Sequence, residues 1–406
     1  MIIGGEKMRL EDFPMLKNNI IYFDNGATTF KPYSVIEAIN DYYKNYTANA
    51  HRGDYDISLE VDNAYEEVRD KVRDFIHAKR SDEIVFTSGT TDSLNRIVFG
   101  YFGHYLKSGD EVLITKSEHA SNVLPWFVLE KELGIKVNYI PLNDDKEVEI
   151  DSVKKVINGN TKVISVSYVT NVIGDVRPIK EIVKLAHENN ILVVVDGAQS
   201  TPHMGVDVVD LDIDFYAFSA HKMYGPTGVG VLYGKYEILD KMIPLEYGGG
   251  MNATFEHDGS YVLKELPARL EAGTPNIAGV IGLGASIDYI NSIGIDKINK
   301  YEHELREYLI SGLEKLDFIT IYNRKANGSV VAFNINGVFS QDTSVYLNKY
   351  NICIRAGNHC AKILKDELNI KNTCRISLSF YNTKEEIDLL LNCLRNSENI
   401  WKEILK

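Results

Sequence analysis

Seven short stretches in the middle of the chain are apolar along most of their length: Ile84–Thr87, Glu111–Thr115, Lys136–Ile140, Lys162–Tyr168, Ile191–Asp196, Phe215–Ser219 and Val229–Tyr233. Several are nearly continuous runs, and such runs suit strands covered on both faces. Between them lie segments with helical spacing, over Thr91–Tyr105, Ser121–Leu133 and Ile179–Asn189. This alternation predicts an α/β fold: a mostly parallel seven-stranded sheet flanked by helices.

The pattern changes toward the C-terminus. Asp296–Leu316 reads as a long amphipathic helix, Ser329–Ile335 as a strand, Asp342–Tyr350 as a helix, and Ile352–Arg355 and Arg375–Ser379 as short strands. Thr383 followed three residues later by Glu386 is a capping box opening a helix over Thr383–Asn396. These elements predict a smaller α+β domain over 291–406 beside a large domain over 21–290. Residues 1–20 read as an arm or helix packed on the small domain. There is no internal repeat, low-complexity tract or linker rich in Pro, Gly or Ser.

Composition narrows the functions available. A chain of 406 residues with 44% hydrophobic content can bury a large core. Its net charge of −13 argues against nucleic acid or an anionic membrane as partner. No apolar run approaches the roughly 18–20 residues that span a bilayer, and the N-terminus has no secretory pattern, so the cytoplasm is the expected location. The four cysteines, Cys353, Cys360, Cys374 and Cys393, include no C-x-x-C pair. Free thiols in a reducing compartment are expected, and no metal site.

The predicted strands end in polar residues, where an open α/β sheet gathers its ligands. Thr87-Ser88-Gly89-Thr90-Thr91 precedes a helix and suits either a phosphate or an ordinary helix cap. Ser117-Glu118-His119 and Thr170-Asn171 follow two further strands. Asp196, before Gly197-Ala198-Gln199, ends an apolar strand, where a carboxylate needs a partner. A protonated pyridine nitrogen is one such partner, and the cap of the next turn is another. Lys222, in Ser219-Ala220-His221-Lys222, follows the next strand on a turn rich in Gly and Pro. A lysine there, with a lowered pKa, can form an imine. Gly225-Pro226-Thr227-Gly228-Val229-Gly230 leads into a strand and not a helix, which is the wrong context for a dinucleotide.

Asp196-Gly197-Ala198-Gln199, Ser219-Ala220-His221-Lys222 and Gly273-Thr274-Pro275-Asn276 resemble the class V aminotransferases, fold-type I enzymes dependent on pyridoxal 5'-phosphate (PLP). Arg355-Ala356-Gly357-Asn358-His359-Cys360 and Cys374-Arg375-Ile376-Ser377 resemble the SUF-type (group II) cysteine desulfurases within that family. The resemblance runs from Tyr22-Phe23-Asp24-Asn25-Gly26-Ala27-Thr28 to the C-terminal helix. It implies that Lys222 carries PLP covalently, Asp196 pairs with the ring nitrogen, Gln199 bonds the ring oxygen, and His119 stacks on the ring and moves protons. Thr90, Ser219 and His221 would hold the phosphate, with Thr91 also in the cofactor site. Gly273 and Thr274 would complete the phosphate site from the second subunit of a homodimer. Asn171 and Arg375 would bind the substrate L-cysteine, and His51, Arg52 and Arg355 would line its entrance. Cys360, on a loop of the small domain, would be the nucleophile that takes the sulfur as a persulfide. A small acceptor protein would receive it, for iron–sulfur cluster assembly.

These roles agree with the chemistry of the residue types. A guanidinium grips a carboxylate bidentately, which lysine does not. A free thiol of pKa about 8.5 is only slightly ionised at neutral pH, and cationic neighbours raise that fraction. Cys353 and Cys374, in strand contexts, and Cys393, on the last helix, read as structural. The family pattern usually has His-His before the cysteine, whereas this chain has Asn358-His359. It also has Ile363 where a proline is common, which predicts a less rigid loop. Two rivals follow from the same residues: a selenocysteine lyase or other class V lyase or aminotransferase, and a silent sulfur-carrying scaffold.

Overall fold

The computed structural model describes residues 10–397, together with 2–3, 6–7 and 400. The seven apolar stretches form one sheet. Its strands are β1 (Ile84–Thr87), β2 (Glu111–Thr115), β3 (Lys136–Ile140), β4 (Thr161–Ser167), β5 (Leu192–Asp196), β6 (Phe215–Ser219) and β7 (Gly230–Gly234). They lie in the order β1-β7-β6-β5-β4-β2-β3. Strands β2 to β6 pair in parallel, and β7 runs antiparallel to both neighbours. Close approach of β7 to the turn after β1 requires glycine: a Cβ on Gly230 would lie 2.4 Å from the Cα of Gly89.

Alternate residues of each strand enter opposite cores. Phe86, Leu113, Ile164, Val195 and Phe218 join a core with the helices Asp56–Phe75, Ile179–Glu188 and Ile277–Ile293. Val85, Ile114, Val163, Val194 and Ala217 join a second core with Leu94, Phe102, Trp126 and Leu129. The sheet is thus the middle of three layers, which is why its strands read as unbroken apolar runs. Val194 is fully buried, with hydrophobic stabilisation on the order of 1.5–3 kcal/mol, and an Asp there would break the second core.

The helix expected over Thr91–Tyr105 starts at Thr90 and widens to a π-helix over Arg96–Phe102. The next expected helix, Ser121–Leu133, begins later, at Leu124, after a short turn capped by the His119 side chain. Farther on, β8 (Ile319–Ile321), β9 (Val330–Ile335), β10 (Arg355–Gly357) and β11 (Thr373–Ser377) form an antiparallel sheet in the order β8-β9-β11-β10. Arg355 and Arg375 are direct neighbours in its register. The capping box appears as expected, with Glu386 N–H donating to Thr383 Oγ1 and Thr383 N–H to Glu386 Oε2. Ile21–Tyr22 pairs in parallel with Ile352–Cys353, and Asp24 bridges to Ser377, so the N-terminal segment is stitched to this second sheet. Phe13 is 1% exposed and packs against Tyr224, Tyr289, Phe380 and Tyr381.

Candidate active site

The carboxyl ends of the parallel strands open into a cavity of about 210 Å³. Ser167 at the end of β4 and Asn171 beyond it line the cavity, with Asp196 at the end of β5 and Gln199 beyond it, and Ser219 at the end of β6 with His221 and Lys222 beyond it. Thr90 and Thr91 enter from the helix after β1, and His119 from the turn after β2. Arg355, His359 and Arg375 close it from the second sheet, and Gly26 and Ala27 from the N-terminal segment. Eleven of the residues singled out in the sequence therefore meet here: Thr90, Thr91, His119, Asn171, Asp196, Gln199, Ser219, His221, Lys222, Arg355 and Arg375.

Two charges dominate the floor. Burial pushes the Asp196 carboxyl up to about 6 and the Lys222 amine down to about 8, although each attracts the charged form of the other. Desolvation thus outweighs the attraction of Lys222, and among the described residues no cation lies within 4.0 Å of Asp196. Its Oδ1 accepts the Ala198 N–H at 2.9 Å. A protonated pyridine nitrogen would supply the missing charge. Three residues that line the cavity each hold a buried side-chain atom without a partner: Ser167 Oγ, Asn171 Oδ1 and Arg375 Nε. The Thr90 amide donates to Ser219 Oγ at 2.7 Å, and the two side-chain oxygens lie 2.6 Å apart, at the helix start where a phosphate would sit. These residues fit PLP: Lys222 for its carbonyl, Asp196 for its nitrogen, and Thr90, Ser219 and His221 for its phosphate.

His119 is held neutral, its pKa lowered to about 4 by burial and by Lys222, Arg375 and Arg355. Its Nδ1 accepts the Ser121 N–H at 3.1 Å, so the ring proton sits on Nε2. The floor is braced by a pair that sequence reading did not bring out. Glu118 and Arg177, with fully buried side chains, form an ion pair. Glu118 also accepts from Thr115 Oγ1 at 2.7 Å and from the Ser167 amide at 2.9 Å. Gln199 Nε2 donates to the Gly26 carbonyl at 2.8 Å.

Arg375 is 2% exposed. Its Nη2 pairs with Asp24 Oδ1 at 2.8 Å and its Nη1 donates to the Asn171 carbonyl at 3.0 Å. Asp24 was not among the expected site residues, and its one sequence signal was its place in the Tyr22–Thr28 motif.

Cys360 is exposed, whereas Cys374 is buried and pushed up to about 12 by desolvation. Both His359 and Cys360 adopt left-handed backbone, with φ of 51° and 55°. For residues other than glycine this costs on the order of 1–3 kcal/mol each and needs outside support. That support is present: Asn171 Nδ2 donates to the His359 carbonyl at 2.7 Å and the Ala120 amide to the Cys360 carbonyl at 2.7 Å. The turn is thus tied to the residue after His119 and to Asn171.

Four expected residues lie apart from this cavity within one chain. Asn49 Nδ2 donates to Thr274 Oγ1 at 3.2 Å, Arg52 Nη2 to the Gly273 carbonyl at 3.4 Å, and His51 Nε2 lies 3.3 Å from Glu66. His51, Arg52, Gly273 and Thr274 are all exposed. Thr274 borders a second cavity of about 530 Å³, which shares Thr91 with the first.

Residues 21–390 match the family Aminotransferase class-V. A probable cysteine desulfurase of Halalkalibacterium halodurans is 43% identical over 399 residues, covering 97% of this chain and 98% of that protein. A cysteine desulfurase of Yersinia pestis (strain Pestoides F) is 39% identical, covering 96% and 97%. Among solved structures, the apo cysteine desulfurase of Thermococcus onnurineus NA1 superposes with a TM-score of 0.93 at 40% identity, covering 98% of both chains. The Escherichia coli cysteine desulfurase CsdA, in an S-sulfonic acid form, gives a TM-score of 0.91 at 35% identity, covering 97% of this chain and 99% of that one.

Proposed function

This chain belongs to the class-V aminotransferase family, and from that premise we propose that it is a PLP-dependent cysteine desulfurase, converting L-cysteine to L-alanine and leaving the sulfur as a persulfide on Cys360. One observation carries the reading: an exposed thiol, on a turn anchored to Asn171 and Ala120, stands beside a pocket that encloses an Asp–Lys pair.

PLP, when bound, supplies an electrophilic carbonyl for an amine and a cationic ring that accepts negative charge. The protein's own groups do the rest. The Lys222 amine, lowered to about 8, is largely protonated at neutral pH but yields a usable fraction of nucleophile. Once the substrate's amine had taken its place on the cofactor, the Lys222 amine would be free to hold the α-proton on Nζ. Asp196 keeps the ring nitrogen protonated, and neutral His119 offers Nε2–H at the cavity. Arg375 receives the α-carboxylate. The Cys360 thiolate attacks the substrate sulfur: a sulfur–sulfur bond forms, the carbon–sulfur bond breaks, and the carbon takes up a proton to give alanine.

Gly273, Thr274, His51 and Arg52 are exposed together in one chain, which supports a homodimer in which they complete the partner's site. The sulfur acceptor is a small protein able to reach the exposed Cys360, and iron–sulfur assembly is its destination. The free cysteines fit a reducing compartment, and we assign the protein to the cytoplasm. The test is alanine release from L-cysteine by PLP-loaded protein, with Cys360→Ala alongside. The variant should keep the cofactor's visible absorbance and lose alanine release. Loss of both would contradict this division of labour.

A further inference from the structure

Lys222 sits on a turn that does not hold itself. Tyr224, just beyond it, has left-handed backbone at φ 66°, which a residue other than glycine keeps only with outside support. Inside the turn, the Met223 and Gly225 amides donate to the Ala220 carbonyl at 3.0 and 2.9 Å. The rest of the support comes from the N-terminal segment. Thr29 Oγ1 accepts the Tyr224 amide at 2.8 Å. The His221 carbonyl, on the peptide that leads into Lys222, accepts from the Thr29 amide at 3.0 Å, from Thr28 Oγ1 at 3.0 Å and from Lys31 Nζ at 3.1 Å.

Lys31 has no part in the steps above. Burial pushes its amine down to about 8, with no carboxylate to offset the loss of water. At neutral pH it is still an ammonium with three N–H donors. These end on the His221 carbonyl, the Thr29 carbonyl and, at 3.1 Å, Thr28 Oγ1. Hydrogen bonds from a charged donor are the stronger kind. The peptide between His221 and Lys222 is planar, so its carbonyl and its N–H point opposite ways. Holding that carbonyl therefore fixes the direction in which Lys222 leaves the peptide. We propose that Lys31 is a positioning residue for Lys222: its ammonium holds the His221 carbonyl and so presents the Lys222 amine to the carbonyl of PLP. This rests on the reading of the cavity as a PLP site. The same segment carries Asp24, paired with Arg375, and Gly26, whose carbonyl takes Gln199, so one strap sets three groups of the site from behind.

The test follows PLP uptake by the cofactor-free protein in a stopped-flow absorbance assay over a range of PLP concentrations. The plateau rate reads the covalent step at Lys222, and the half-saturating concentration reads the binding before it. Lys31→Met should lower the plateau about 10-fold and leave half-saturation within about twofold of wild type. Lys31→Arg, which keeps donors toward the His221 carbonyl, should recover most of the plateau. An unchanged plateau in Lys31→Met would overturn the proposal. So would a rise in the half-saturating concentration, alone or together with a lower plateau, since that is damage to the whole pocket. A Lys31→Arg plateau no better than that of Lys31→Met would make the side chain a packing element and overturn it too. If Lys31→Met does not fold, Thr28→Val takes its place. That variant removes one donor from the same carbonyl and one acceptor from Lys31, and it should lower the plateau about threefold at unchanged half-saturation; an unchanged plateau would overturn the proposal. Wild-type protein that takes up no PLP would sink the cofactor reading; wild-type uptake matched by Lys31→Met would sink this inference alone.

Discussion

Replacing Asp196 by Asn should make the cofactor-free protein more stable while crippling the enzyme. In the folded chain burial lifts this carboxyl from 3.8 to about 6 even with Lys222 nearby. Each pH unit of that displacement is about 1.4 kcal/mol, so an ionised Asp196 costs the fold about 3 kcal/mol. Asn keeps an oxygen for the Ala198 amide and carries no charge. Part of the gain is offset because Lys222 loses its attracting partner, so about 3 kcal/mol is a ceiling. The sign follows from the raised pKa: the cost is full above about 6 and fades as the group protonates toward 3.8. Unfolding of the two cofactor-free proteins should therefore show the variant ahead at pH 7.5, with the gap narrowed to about half by pH 5 and closing toward pH 3.8. PLP should reverse the order, since only Asp196 offers a charge to the ring nitrogen. A cofactor-free variant no more stable at pH 7.5, or a gap that widens on acidification, would refute the argument.

Other perturbations follow from the same geometry. Arg375→Lys should raise the KM for L-cysteine about 10- to 100-fold in steady-state assays, because lysine cannot reproduce the planar fork. Covalent uptake of PLP by the cofactor-free protein, followed by absorbance, should quicken as pH rises toward about 8 and level off above it, as Lys222 loses its proton. Glu118→Leu should lower stability by about 3–5 kcal/mol in denaturant titration, since it strands the fully buried Arg177.

Much of the fold was legible because the layers impose a simple pattern. Strands β1, β2, β3 and β6 have the boundaries that the apolar runs predict, and β4, β5 and β7 differ by a single residue at the ends that move. What the pattern could not carry was direction: nothing in Val229–Tyr233 tells that β7 runs against its neighbours. The delayed helix start at Leu124 was equally hidden, since it depends on the His119 ring capping a short turn. The cavity was foreshadowed by polar strand ends, which a sheet of this kind brings to one edge. The roles of Asp24 and Glu118 were not, although both stand in motifs quoted from the sequence, because each acts through a partner far away in sequence, Arg375 and Arg177. The looser loop expected from Ile363 is offset by the hydrogen bonds from Asn171 and Ala120, neither of which local sequence reveals.

The central claim is that sulfur leaves the substrate onto Cys360 and not onto another thiol. PLP-loaded protein given L-cysteine without reductant or acceptor, then digested and weighed peptide by peptide, tests this directly. One added sulfur atom on the peptide holding Cys360, matched mole for mole by alanine and removed by reductant, is the predicted result. Alanine released with no sulfur on that peptide, or with sulfur on Cys353, Cys374 or Cys393 in its place, would contradict it.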